Sequence, residues 1–167
     1  MKLLFVRHGK AMERDLFMGA DDLLRPLTDE GRKKAKNGFG VLARFYQTPM
    51  AIVTSKAVRA IETAEILNDA FGGKVEIVQT PLLNPGASIE EFKELMIPRF
   101  DENGCVAIVG HEPDFSLIIS HLISKDDVAI DIKKASMIEV EVDRYFNGEL
   151  RFMIPQKFLN FLKKVMK

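Results

Sequence analysis

The sequence predicts a layered α/β fold: a three-layer α/β/α sandwich around a central, mostly parallel sheet. Three observations carry that prediction. Short continuous apolar runs, at residues 3–6 and 105–109, read as strands buried on both faces. Longer amphipathic segments alternate with such runs, the pattern that builds a parallel sheet with helices on either side. The 167 residues, 47% of them apolar, are enough for one compact domain with a substantial core.

Each element follows in order. Residues 3–6 form the first strand, and residues 10–27 read as a polar loop broken by Gly19 and Pro26. Thr28 is an N-cap, with Asp29 and Glu30 in the first turn of a helix running to about Phe45. Residues 51–54 are a second strand, and a helix from Lys56 to Phe71 ends at Gly72 and Gly73. Residues 75–78 are a third strand, 81–86 a loop and 89–96 a short helix. The buried strand 105–109 turns through residues 110–113 into a helix reaching about Ile123, with Pro113 near its first turn. Residues 137–143 alternate apolar and acidic, as in a half-exposed strand. Asn147-Gly148 signals a hairpin turn, after which residues 150–154 pair back antiparallel. Residues 155–166 form a last helix. With no repeat and no low-complexity linker, the expectation is a single domain over residues 1–167, in which 155–167 are a C-terminal helical extension.

Charge and cysteine content narrow the function. Lys plus Arg and Asp plus Glu number 24 each, so the formal net charge of zero gives no general field for nucleic acid or acidic membranes. The single cysteine, Cys105, cannot form an internal disulfide or a paired-cysteine metal site, which suits a reducing cytoplasm. The N-terminal apolar run is too short for a secretory signal, and no stretch approaches the ~18 apolar residues of a membrane span. The expectation is a cytoplasmic protein without stable membrane insertion or a nucleic-acid partner. Composition leaves the oligomeric state open.

The chemistry collects at strand ends. The first strand ends in Arg7-His8-Gly9 and the fourth in Gly110-His111-Glu112; the second ends in Thr54-Ser55, with Arg59 on the helix after it. In open α/β sheets, ligands bind outside the carboxyl ends of the strands. Two guanidiniums there can hold phosphoryl oxygens in forked hydrogen bonds. A neutral imidazole can attack phosphorus in line, and a second, protonated one can stabilise the equatorial charge. The helix N-terminus after His111 favours an anion, and Gly9 and Gly110 would let backbone approach it closely.

These residues, in this order, resemble the histidine phosphatase (phosphoglycerate mutase-like) superfamily. Arg7-His8-Gly9 is similar to its first signature. Ser55-Lys56-Ala57-Val58-Arg59-Ala60 with Thr63-Ala64 looks like its second arginine motif, and Val109-Gly110-His111 like its second histidine. The segment Asp22-Leu23-Leu24-Arg25-Pro26-Leu27-Thr28, with Gly31 beyond it, resembles the small branch typified by bacterial phosphohistidine phosphatases. The resemblance implies the histidine phosphatase fold and a transiently phosphorylated His8. It implies a phosphate pocket of Arg7, Arg59 and His111, with Arg25 at the mouth, Gly9, Ser55 and Gly110 as further substrate-binding positions, and no metal or organic cofactor. The loop after the third strand departs from the mutase pattern: residues 80–86 contain no carboxylate. Glu112 is the candidate acid in its place. A phosphohistidine substrate would need that acid less, because imidazole leaves with a conjugate-acid pKa of ~6.5. The expected activity is hydrolysis of protein phosphohistidine, as on a phosphotransfer domain. The alternatives are a phosphomonoesterase acting on a small phosphorylated metabolite and a phosphate-binding regulatory module without turnover.

The other notable residues have plainer readings. His121 reads as a core or surface residue and Cys105 as an inert buried thiol. A zinc site from His8, His111 and Glu112 is disfavoured by the two arginines beside them. The last helix is expected to lay its apolar side on the sheet, with a dimer or membrane-surface contact as the alternative.

Overall fold

A computed structural model describes residues 1–17, 21–124 and 128–166. The expected interruption at Gly19 lies outside the described residues. Six strands form one sheet: β1 (Lys2–Arg7), β2 (Ala51–Ser55), β3 (Glu76–Thr80), β4 (Cys105–Gly110), β5 (Met137–Val142) and β6 (Gly148–Ile154). Their order is β3-β2-β4-β1-β5-β6. The first four are parallel, and β5 and β6 add antiparallel to the β1 side. The expected layered α/β fold with a mostly parallel sheet is what forms.

Both faces are covered. Leu3 and Phe5 of β1 point to one face; Leu4 and Val6 point to the other, and all four are fully buried. That two-sided burial is why the run is continuously apolar rather than alternating. On the first face, α3 (Ile89–Met96) and α4 (Asp114–Ile123) close a core in which Phe5 meets Phe92 at 5.5 Å and Phe115 at 5.2 Å between ring centroids. On the second, α1 (Asp29–Leu42) and α2 (Val58–Ala70) bury Ala35, Phe39, Leu42, Ala60, Ala64 and Leu67.

Local chemistry sets the helix ends. Thr28 Oγ1 accepts from the Gly31 amide at the start of α1, and Ser88 and Glu91 form a reciprocal capping box at the start of α3. Gly31 has no room for a side chain, because a β-carbon would lie 2.1 Å from the Lys10 carbonyl oxygen. α1 stops at Leu42 rather than near Phe45, because Arg44 and Phe45 bond three residues back and tighten the last turn. α2 starts at Val58 rather than Lys56, since Ala57 is extended and donates its amide to Ser55 Oγ at 3.1 Å.

Three expectations at the C-terminal end are corrected. β5 is not half-exposed: it lies between β1 and β6, and its Glu139 is buried, accepting a hydrogen bond from Tyr46 Oη. The hairpin does not turn at Asn147-Gly148. Phe146 takes the left-handed conformation at φ 62°, while Gly148 opens β6, where a β-carbon would approach Val140 Cγ1 to 2.7 Å. The final helix, α5 (Gln156–Val165), packs chiefly against α1 rather than on the sheet. Leu159 is buried over Gly38, whereas Phe158, Phe161 and Val165 are exposed. No helix among the described residues is long and apolar enough to cross a membrane.

Candidate active site

The carboxyl ends of β1, β2 and β4 meet at one edge of the sheet, and the topology places β1 beside β4 and β4 beside β2. The His8 amide donates to the Gly110 carbonyl at 3.0 Å, so the two histidine-bearing ends are stitched together. The His8 and His111 rings lie 5.1 Å apart between centroids, tilted by 54°. Both are buried, His8 at 7% and His111 at 2% exposure.

The hydrogen bonds define each ring's usable nitrogen. His8 Nδ1 lies 2.8 Å from the Gly9 carbonyl oxygen, which can only accept, so Nδ1 carries the proton and Nε2 keeps its lone pair. The Gly9 amide in turn donates to Thr63 Oγ1 at 3.1 Å, and that hydroxyl donates to the Arg59 carbonyl at 2.7 Å. His111 Nε2 lies 2.9 Å from Ser55 Oγ. Ser55 donates its own proton to Asn84 Oδ1 at 3.0 Å, and Asn84 Oδ1 also accepts from the Lys56 amide at 3.0 Å. His111 therefore donates through Nε2, and its Nδ1 lone pair faces Arg59 Nη2 at 3.5 Å.

Electrostatics keep both imidazoles neutral. Burial, then the His111 ring and the Arg59 and Arg7 charges, lower His8 to about 3, against a smaller opposing effect of the Gly9 carbonyl. Burial and then Arg59 lower His111 to about 3, with Asp22 opposing and Arg25 and Arg7 adding. In the free site, a protonated His111 is thus disfavoured by its surroundings. A phosphoryl dianion between the guanidiniums would offset their charge and raise both rings.

Three arginines surround the rings. Arg7 Nη1 donates to the Ile132 carbonyl, and Arg59 Nη1 donates to the Asp22 carbonyl at 2.7 Å. Nε of Arg7 and Nε of Arg59 are both buried without a partner among the described residues. Arg25, at 9% exposure, donates from Nη1 to the Met12 carbonyl at 2.6 Å and from Nε to Asp22 Oδ1 at 3.0 Å. It lines the mouth and braces the loop at once. Arg14, Phe17, Asp22 and Arg25 line a pocket of about 370 Å³ there.

Some sequence-based assignments change. Ser55 does not stand free for a ligand, because its hydroxyl is taken by His111, Asn84 and the Ala57 amide. Gly110 serves packing: a β-carbon would come 2.8 Å from the Phe115 ring. Glu112 is turned onto α4, accepting from the Ser116 hydroxyl and, at 3.2 Å, from its amide. Burial raises its pKa against those hydrogen bonds and the Arg7 charge. Glu112 lies just before Pro113, the N-cap of α4, and accepts from the first turn of that helix. His121 is on the surface with Nε2 3.4 Å from Lys93 Nζ, and Cys105 is buried with its thiol pushed up by burial. Among the described residues, no three His, Cys, Asp or Glu side chains are grouped to hold a metal ion.

Sequence reasoning missed three contributors. Asp22 bridges the arginines; it stands in a segment singled out only for resemblance. Asn84 orients Ser55 from the loop after β3, where the sequence offers only a missing carboxylate. Ala135, in the left-handed region at φ 54°, donates its amide toward the carbonyls of Arg7 (3.0 Å) and His8 (3.2 Å). Nothing in Lys133-Lys134-Ala135 signals that turn, since no glycine or asparagine marks it.

The profile of the histidine phosphatase superfamily (branch 1) matches residues 3–84. An uncharacterized protein of Picosynechococcus sp. is 35% identical over 171 residues, covering 95% of this chain and 99% of that one. Among solved structures, the protein histidine phosphatase SixA complexed with tungstate superposes with a TM-score of 0.83 at 20% identity, covering 95% of this chain and 99% of that one. The alpha-ribazole phosphatase from Shigella flexneri gives 0.75 at 16%, covering 93% and 97%. A mycobacterial glucosyl-3-phosphoglycerate phosphatase in complex with VO3 gives 0.73 at 16%, covering 92% and 99%. At these identities the structural likenesses establish the fold.

Proposed function

The chain belongs to the histidine phosphatase superfamily, and on that premise we propose that it is a phosphatase whose nucleophile is His8 Nε2 and whose substrate is protein phosphohistidine. The observation that carries this reading is the His8 tautomer: the Gly9 carbonyl holds the Nδ1 proton, and burial among cations keeps the ring unprotonated. A neutral imidazole with its Nε2 lone pair free at neutral pH is the form that attacks phosphorus.

The steps follow from the pocket. Arg7 and Arg59 hold the phosphoryl oxygens through their guanidinium groups. His8 Nε2 forms the new P–N bond as the bond to the leaving group breaks. Water then attacks phospho-His8, the P–N bond breaks, and His8 is regenerated with release of inorganic phosphate. His111, fixed by Ser55 and Asn84, lies beside the transferring group; once the incoming dianion raises its pKa, it can donate from Nδ1 to an equatorial oxygen.

A phosphoramidate substrate fits the rest of the site. The pocket offers no poised carboxylic acid, since Glu112 is engaged by Ser116, and a departing imidazole needs little acid assistance. The pocket beside Arg25 opens to solvent, as a protein-borne phosphohistidine requires.

The test is phosphate release, in EDTA, from a phosphohistidine-bearing protein and from p-nitrophenyl phosphate, for the wild type and His8→Ala. The expected result is EDTA-resistant release, faster from phosphohistidine, that vanishes in His8→Ala while the variant still binds phosphate. Undiminished release by His8→Ala would overturn the nucleophile. Preference for the ester would overturn the substrate and favour a phosphomonoesterase.

A further inference from the structure

Among the described residues, Asp22 is the carboxylate that pairs with Arg14, Arg25 and Arg59. Oδ2 lies 3.0 Å from Arg59 Nη2, and Oδ1 lies 3.0 Å from Arg25 Nε and 3.2 Å from Arg14 Nε. Its own backbone carbonyl accepts from Arg59 Nη1. The aspartate is held from its neighbours as well: Asp21 caps the short 3-10 turn Asp22–Leu24 by accepting from the Leu23 amide at 2.9 Å. The Asp22 side chain is 38% exposed, so it stands at the rim, between the buried Arg59 and the solvent-facing Arg14. Burial alone would raise its pKa, but the Arg25 hydrogen bond and the three guanidinium charges together hold it below the ordinary carboxylate range. It is ionised at neutral pH and cannot serve as the acid.

A group at that place meets whatever the phosphoryl group is attached to. Arg59 Nη2 lies 3.0 Å from Asp22 Oδ2 and 3.5 Å from His111 Nδ1, so a phosphoryl group held by Arg59 lies within reach of the Asp22 charge. We propose that Asp22 is the specificity-determining residue of this pocket: its carboxylate admits phosphoryl groups carried on a neutral or cationic leaving group and repels those whose leaving group is itself anionic. The inference rests on the phosphoryl-binding reading above and deepens it, because an imidazole is neutral and becomes cationic as it takes up a proton. Asp22 then also favours that protonation and so aids the departure of the ring. A phosphorylated carboxylic acid, by contrast, brings a second negative charge to the same place.

The charge arithmetic sets the expected size. Unit charges ~8 Å apart at an effective dielectric of ~20–40 alter an equilibrium roughly six- to thirty-fold. The probes are O-phosphoethanolamine and 2-phosphoglycolate, short esters with tails of opposite charge. Their dissociation constants are measured by calorimetry on the full chain, which reads binding whether or not phosphohistidine is hydrolysed. In Asp22→Asn, the ratio of the phosphoglycolate constant to the phosphoethanolamine constant should fall by roughly thirtyfold or more, because the two tails carry opposite charges and their effects multiply, and in Asp22→Glu it should stay near the wild-type value. A purely structural role would weaken both probes alike; an unchanged ratio in the Asn variant overturns the proposal, as does an equal shift in both variants. If Asp22→Asn does not fold, the wild-type ratio must itself fall as NaCl is raised, and a salt-independent ratio is equally fatal. Failure of both probes to bind also overturns it. Probe binding with the shifted ratio but no phosphohistidine hydrolysis would sink only the substrate reading.

Discussion

The two buried histidines should make this protein acid-sensitive in a specific window. Both are lowered to about 3 in the fold, against ~6.5 in the unfolded chain. Above pH 6.5 neither state binds the proton and the histidines have no effect. As pH falls below 6.5, the unfolded chain takes up protons that the fold refuses, so stability is lost until the pH reaches the folded values. At pH 5 each histidine gives away about 2 kcal/mol, from 1.36 kcal/mol per pH unit over ~1.5 units. Together they remove about 4 kcal/mol between pH 7.5 and 5, a large share of an ordinary domain's stability. The assay is urea unfolding at pH 7.5, 6.5, 5.5 and 5.0 in buffers free of phosphate and sulfate, for the wild type and His8→Gln. The variant should lose about half of the pH dependence. Tungstate or phosphate should restore stability at low pH by raising both pKa values. A wild-type stability flat from pH 7.5 to 5, or a His8→Gln slope equal to that of the wild type, would refute the reasoning.

Two further outcomes follow from the same structure. Ser55→Ala takes the acceptor from His111 Nε2 and from the Ala57 amide, leaving buried groups unpaired at about 1–3 kcal/mol each. Its kcat should fall ten- to a hundredfold, of the order seen when an oriented transition-state donor is lost, with phosphate affinity changing less; steady-state kinetics with wild-type kcat would reject the orienting role. Leu159→Ala removes the one fully buried side chain that α5 sets over α1. Urea unfolding should show a loss of about 2–5 kcal/mol, and a neutral result would mean that α5 contributes nothing to the core.

The centre of the site was legible because of contrast. Where a continuous apolar run ends in Arg7-His8 or Gly110-His111, charge sits at the rim of a buried strand, and elementary sheet geometry brings those ends together. Gly72 and Gly73 stop α2 as read, both with positive φ. The supporting parts were illegible for equally physical reasons. A serine hydroxyl donates and accepts alike, so Ser55 could be placed at the site but not paired with Asn84, 29 residues away. Asp22 reads as one more surface carboxylate until the fold gathers Arg14, Arg25 and Arg59 around it. The alternation in β5 suggested a wet face, but the addition of β6 and the Tyr46 hydroxyl let Glu139 be buried. At the hairpin, Gly148 answers a steric demand from Val140, a contact between strands that a turn motif cannot reveal.

The strand order also has a consequence during synthesis. β1 lies inside the sheet, and its two neighbours, β4 and β5, begin only at Cys105 and Met137. At roughly 5–20 residues per second, the ribosome takes on the order of 5–30 s to deliver them. For that interval Leu3, Leu4, Phe5 and Val6 are a strand without an edge to join, although every one of them is destined for full burial. β2 and β3 can pair early with each other, since they are close in sequence; β1 cannot. The segment that carries His8 is therefore made well before the strands that secure it. Its long-range pairing slows folding and leaves an apolar strand open to the wrong partners until β4 and β5 have been made.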